Sequence, residues 1–418
     1  MSGRARIWLI LIAAAALRLL RAGLRWDEVS WQYAAYTGPT VRALEQGRVL
    51  DALTTWIGLH PPGWALLHAA FELLLPVPAV FLLTSALFSL GAVWVWRDRP
   101  LVALLIATSP VQLAYAAEIN DYPLVALLVA AAYRWREHTW KLALVGALAC
   151  WTHPLAAFVV LALALRRPRS LVFLLAAIPL LPGGLALALE PTTYGQPEIL
   201  LLQSLADYAS RFGVLGALVL PAACMGLRKQ PVVAAVCLAS VVAWLALVAV
   251  GVAAPHQFMY LLILTAPLAL LASTSPWTRA LWVLGIVQGL WFGACDLLRA
   301  SKLAEAPVTI PAGDVYLLAP PGTNDDDKTK TSAMLWQLSP FQAMPMVQTE
   351  PAEDHRHGSP RRVGDRLVYV NDHLREELDS APRPLTLLVY EGSASLLADV
   401  EARYGPPDSP GTWKLSAE

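Results

Sequence analysis

Long apolar stretches separated by short charged clusters dominate the first three quarters of the chain, and this pattern predicts membrane helices. After an opening run within MSGRARIWLILIAAAALRLL, apolar runs fall at 77 to 96, 101 to 117, 123 to 137, 141 to 165, 170 to 189, 212 to 227, 231 to 253, 258 to 272 and 280 to 297. Beyond 298 the period changes. Short strand-like runs at 314 to 320, 366 to 371 and 386 to 392, followed by the helical pattern SASLLADVEARYG, predict a small α/β domain over 299 to 418. The expected architecture is a polytopic all-α membrane bundle over 1 to 298 with that α/β domain appended.

Orientation follows from Lys and Arg. With the N-terminus cytoplasmic, and with 141 to 165 read as two short helices meeting at His153-Pro154, five basic groups fall inside: Arg97/Arg99, Arg134/Arg136/Lys141, Arg166/Arg167/Arg169, Arg228/Lys229 and Arg279. That agreement selects eleven spans. It leaves 26 to 76, Glu118 to Tyr122, His153, Glu190 to Arg211, His256 and the C-terminal domain on the other side. A single span over 141 to 165, or a further span over 63 to 75, would flip the later loops and break the charge rule. A proline hairpin at 154 and a shallow or re-entrant helix after Pro62 are therefore preferred.

Composition agrees with the pattern: 57% of residues are hydrophobic and only 15% charged, with a mean hydropathy of +0.52, more apolar surface than a water-soluble core of this length needs. Net charge is zero, but residues 1 to 298 carry 19 Lys/Arg against 13 Asp/Glu and the remainder 12 against 18. Nothing in this balance suggests a nucleic-acid partner; the expected surroundings are membrane lipids. Cys150, Cys224, Cys237 and Cys295 lie at irregular spacing inside apolar runs, so neither a disulfide framework nor a zinc site is indicated. The basic start and apolar run resemble a signal peptide without a convincing cleavage site, and are read as a retained first span. The charged loops DDDK (325 to 328) and EDHRHG (353 to 358) read as solvated loop sequence.

Trp26-Asp27-Glu28 is the sharpest chemical signal. Two adjacent carboxylates at a membrane boundary are costly unless they meet water, a cation or a substrate; an interfacial helix cap is the plain alternative. The segment they open is amphipathic and leads to His60-Pro61-Pro62-Gly63, a stiff turn before an apolar helix. There His60 is placed to donate to a phosphate or hydroxyl, or is a satisfied interfacial histidine. Glu118, Asn120, Asp121 and Tyr122 form a second polar point between two spans, either a simple loop or a site partnered with Asp27 across the bundle.

In order along the chain, Arg18-Leu19, Asp27-Glu28, HPPG at 60 to 63, Ser109-Pro110, Tyr115-x-x-Glu118-x-x-x-Tyr122, Thr152-His153 and the apolar helix from Tyr260 after His256 resemble the C-fold superfamily of glycosyltransferases. That superfamily includes protein O-mannosyltransferases and aminoarabinose transferases. The resemblance covers about residues 10 to 270. It implies inverting transfer of a sugar from a polyprenyl-phosphate donor to a lipid, glycan or protein acceptor of unspecified identity. It also implies a bacterial inner-membrane enzyme with its active site on the periplasmic side.

The resemblance makes Asp27 the general base and Glu28 its support; His60, Glu118, Asn120, Asp121, Tyr122, His153 and His256, on the same face, are the candidate substrate-binding residues. The family often has arginine where this chain has Asn120, which leaves the phosphate partner among His60, His153, His256 and Arg211. No metal ligands are assigned; a divalent cation is the one cofactor left open. A transporter or flippase of lipid-linked substrates, and an inactive scaffold of the same fold, are the competing readings.

Overall fold

Proline sets the joints of the helical part. Pro100, Pro110, Pro154 and Pro231 each occupy the first position of a helix, where the missing N–H costs nothing and the fixed φ is already helical. The computed structural model describes residues 3–25, 40, 43–44, 46–54, 60–74, 79–117, 121–189, 219–249, 262–304, 315–318, 347–348, 361–363, 366–371, 384–389 and 394–416.

Among these, the helices are α1 (Gly3–Arg25), α2 (Val49–Thr54), α3 (Gly63–Leu74), α4 (Ala79–Trp94), α5 (Pro100–Ala107), α6 (Pro110–Ala114), α7 (Tyr122–Trp135), α8 (Thr139–Thr152) and α9 (Pro154–Ala164). They continue with a 3₁₀ helix (Pro168–Leu180), α10 (Leu181–Leu189), α11 (Val219–Gly226), α12 (Pro231–Ala249), α13 (Leu262–Ala272), α14 (Thr278–Ala304) and α15 (Ala394–Tyr404). The chain forms two compact units, one built from Met1–Arg25, Pro39–Pro76 and Val80–Leu298, the other chiefly from Arg299–Glu418.

In the first unit, α5 is buried from Leu101 through Ala107. A helix apolar all round belongs in the middle of a bundle. α13 is its counterpart, buried at ten of eleven positions although Pro267 lies within it. The run expected as one helix over 101 to 117 is broken at Thr108-Ser109, because Pro110 cannot donate into a continuing ladder. The run over 170 to 189 begins as a 3₁₀ helix rather than an α-helix, with Pro179 near its end.

α8 and α9 run antiparallel. His153 joins them with extended backbone, and Glu137, just before α8, meets Arg167, just after α9, at 2.5 Å. The Arg167 hydrogen bond holds the Glu137 carboxyl below the usual carboxylate range. The other basic turns gather at the same end: Arg134 pairs with Asp98 at 2.7 Å, Arg136 reaches Gln230, and Lys229 donates to the Thr274 carbonyl.

Among the described residues, two stretches, Pro168–Leu185 and Thr278–Leu298, are long and apolar enough to cross a membrane by length and composition. Shorter apolar helices lie at Leu82–Trp94, Tyr122–Trp135, Pro154–Ala164, Pro231–Ala246 and Leu262–Ala272. Along α14, Val283, Ile286, Val287, Leu290 and Trp291 are exposed.

The second unit holds a six-stranded sheet in the order β2-β3-β4-β1-β5-β6. Its strands are β1 (Val315–Leu318), β2 (Val347–Gln348), β3 (Arg361–Val363), β4 (Arg366–Asn371), β5 (Leu385–Val389) and β6 (Thr412–Leu415). β1 lies between β4 and β5 and is parallel to both, while the outer pairings are antiparallel. β1 and β4 fall within the runs marked by the sequence, and β5 begins one residue before its run. β2, β3 and β6 are too short or too polar to show as patterns.

Candidate functional site

Three helix starts supply the candidate site. His60 lies in the HPPG turn before α3, Asp121 is the N-cap residue of α7, and His153 sits at the joint between α8 and α9. The turn is pinned by Gly63, where a Cβ would strike the Trp151 carbonyl of α8. Only glycine lets the two backbones approach this closely. Thus the residue that ends HPPG is packed beside the residues that lead into His153.

His60 Nδ1 is 2.9 Å from Asp121 Oδ1. The His60 and His153 rings meet edge to face with centroids 5.5 Å apart, and Tyr122 packs against His60 at 5.6 Å and against Tyr115 at 5.7 Å. One ligand atom from each of His60, Asp121 and His153 lies within 4.8 Å of the others. Asp121 and His153 are each only 1% exposed, so this is an interior cluster and not loop decoration.

Partners constrain the protons. Asp121 Oδ1 accepts from His60 Nδ1–H. His153 Nδ1 accepts from the Leu155 N–H at 3.1 Å, capping α9, and a neutral ring therefore carries its proton on Nε2. His153 lies in the break outside both helices. Burial pushes its imidazole pKa down, Asp121 opposes that, and the neighbouring His60 adds to it. Asp121 Oδ2 is buried and has no hydrogen-bond partner among the described residues. A carboxylate oxygen in that state is expensive unless a ligand meets it.

Of the residues singled out by sequence, His60, Asp121, Tyr122 and His153 come together here. Asp27, Glu28, Glu118, Asn120 and His256 lie outside the described residues, as does Arg211. The partner of Asp121 that the structure shows is His60, a pairing across 61 residues with no local signal. Comparison with protein-family models, curated proteins and solved structures finds no match to this chain.

Sequence reasoning also passed over a buried polar network in the bundle. Arg18, 1% exposed, donates through Nε to Ser89 Oγ at 2.9 Å and through Nη1 to the Ala14 and Ala107 carbonyls at 3.1 and 3.2 Å. Gln112 also reaches Ser89, and Gln288 donates to the Thr108 carbonyl where Pro110 has broken the ladder. One turn on, Arg21 pairs with Asp296 at 2.9 Å. These groups join α1, α4, α5, α6 and α14. An arginine inside an apolar helix was the available signal, since such a residue must find partners in the bundle.

Proposed function

We propose that the chain is a polytopic membrane glycosyltransferase that moves a sugar, with inversion, from a polyprenyl-phosphate donor to an acceptor on the non-cytoplasmic face. The observation that carries this reading is the gathering of His60, Asp121 and His153 at one set of helix starts, while the arginine-rich turns meet at the opposite ends of α7, α8 and α9. Such polarity suits a bundle of eleven spans with the basic end cytoplasmic. The antiparallel pairing of α8 and α9 supports the hairpin on which that count depends. At about 1.5 Å per residue, α8 is shorter than the hydrocarbon core, which fits helices that stop below the surface to make room for a site.

In this reading Asp27 takes the proton of the acceptor hydroxyl, with Glu28 in support. His153, whose neutral ring carries its proton on Nε2, faces the donor phosphate beside the His60–Asp121 pair, and a hydrogen-bonding imidazole there does the work that an arginine at 120 would otherwise do. The donor's lipid stays in the bilayer along the exposed apolar helices. With the resemblance to bacterial transferases, this reading sets the site on the periplasmic side of a bacterial inner membrane.

The transporter or flippase reading draws on Arg18 and the Arg21–Asp296 pair, buried in the bundle as ionisable groups on transport paths are. Both, however, join helix to helix at short distance, as structural polar groups do. The experiment is turnover of a radiolabelled polyprenyl-phosphate sugar in membranes matched for protein level. Transfer by the wild type, abolished in His60→Ala, supports the transferase; movement of the lipid across the bilayer without transfer supports the flippase.

A further inference from the structure

We propose that His60, Asp121 and His153 together bind a divalent transition-metal ion of the zinc class. The three residues come from three separate helix starts, and one ligand atom from each lies within 4.8 Å of the others. Nitrogen and oxygen ligands sit about 2.0 to 2.2 Å from such an ion, so donors on one ion stand about 3 to 4 Å apart. From separations of at most 4.8 Å, closing the set asks for relative donor shifts of about 1 to 2 Å.

Three features favour an ion over a simple ion pair. Asp121 is 1% exposed and its Oδ2 has no hydrogen-bond partner among the described residues, so His60 answers only one of its two oxygens. A divalent ion held by His60 Nδ1 and the carboxylate would replace that hydrogen bond, with the ring proton moved to Nε2, and would meet the unpartnered oxygen and the charge together. The donor set, two imidazoles and one carboxylate, selects zinc, iron or their neighbours over magnesium and calcium, which prefer oxygen throughout. Finally, three protein ligands leave positions open, the arrangement of a working metal centre and not of a structural one.

His153 imposes a cost with a visible signature. Its Nδ1 now accepts from the Leu155 N–H. Ligation through Nε2 moves the ring proton to Nδ1, and the Leu155 amide then loses its acceptor. A helix cap is a small term beside a metal–nitrogen bond, so the ion wins this competition. Binding does not depend on the transferase reading. If that reading is right, the open positions would face the oxygens of the donor phosphate.

The experiment uses the full-length protein in detergent, purified on a tag without histidines, with zinc content measured by mass spectrometry and cobalt(II) titrated into the chelated protein. The expected result is about one zinc per chain and visible d–d absorption on adding cobalt. His60→Ala, Asp121→Asn and His153→Ala should each lose most of the ion. His138→Ala, in the basic turn before α8, should keep it. Added zinc should also raise the unfolding temperature of the wild type, a readout that survives if a variant fails to fold.

A well-folded wild type with less than about a tenth of an equivalent of zinc and no cobalt spectrum would overturn the proposal. Undiminished binding in the triple variant would overturn it too, as adventitious metal only. Metal without sugar transfer sinks the transferase reading and leaves the site standing. Transfer without metal does the reverse.

Discussion

His60 donates through Nδ1 to Asp121 Oδ1 at 2.9 Å, across 61 residues of chain and between two different helix starts. The buried carboxylate fixes the tautomer and orientation of the imidazole, and the imidazole satisfies half of the carboxylate. The two should therefore behave as one unit. In chelated protein, His60→Ala, Asp121→Ala and the double variant, followed by thermal unfolding in detergent, should give a coupling of about 1 to 3 kcal/mol. Additive losses would mean that the contact contributes nothing beyond its parts.

Gly63→Ala tests the packing beneath this pair. The new methyl group meets the Trp151 carbonyl, which is backbone and cannot rotate away, so α3 must move from α8 and carry His60 with it. The expected loss of stability is about 1 to 3 kcal/mol, with a fall in sugar transfer larger than in a variant of equal stability elsewhere. A melting temperature and activity equal to wild type would show that α3 docks more loosely than the structure has it.

Asp27→Asn keeps size and hydrogen bonding but removes the base, so turnover of a radiolabelled polyprenyl-phosphate sugar should fall by about 10² to 10⁴-fold with little change in donor binding. Glu28→Gln should lose less, and Glu118→Gln should act mainly on binding. Full turnover in Asp27→Asn would return the acidic pair to the role of an interfacial cap. Equal loss of folding yield in all three would point to structure instead.

Reporter fusions after Arg99, Arg136, Arg169, Lys229 and Arg279 should report the cytoplasm, and fusions after Glu190 and Ala300 the opposite side. Inversion from Arg169 onward would mean that 141 to 165 crosses once. The eleven-span arrangement would then fall, while the face carrying His60 and Asp121 would keep its assignment.

Periodicity and proline placement by themselves determined where the helices lie and where many of them start. Apolar runs and a missing N–H are local properties, and α7, α9 and the strands β1, β4 and β5 are legible for that reason. Charge along the chain likewise marked one end of the helices as basic, since Arg97, Arg134 and Arg167 are each read one loop at a time. Residue type singled out His60, Asp121 and His153 without saying that they meet. Their meeting depends on which helices pack side by side, on Gly63 admitting the Trp151 backbone, and on α9 doubling back along α8. The same holds for Arg18, whose partners Ser89 and Ala107 lie on helices that no local pattern brings near it. Side-chain chemistry is written residue by residue, but a buried carboxylate finds its partner only when several helices exclude water from the same point.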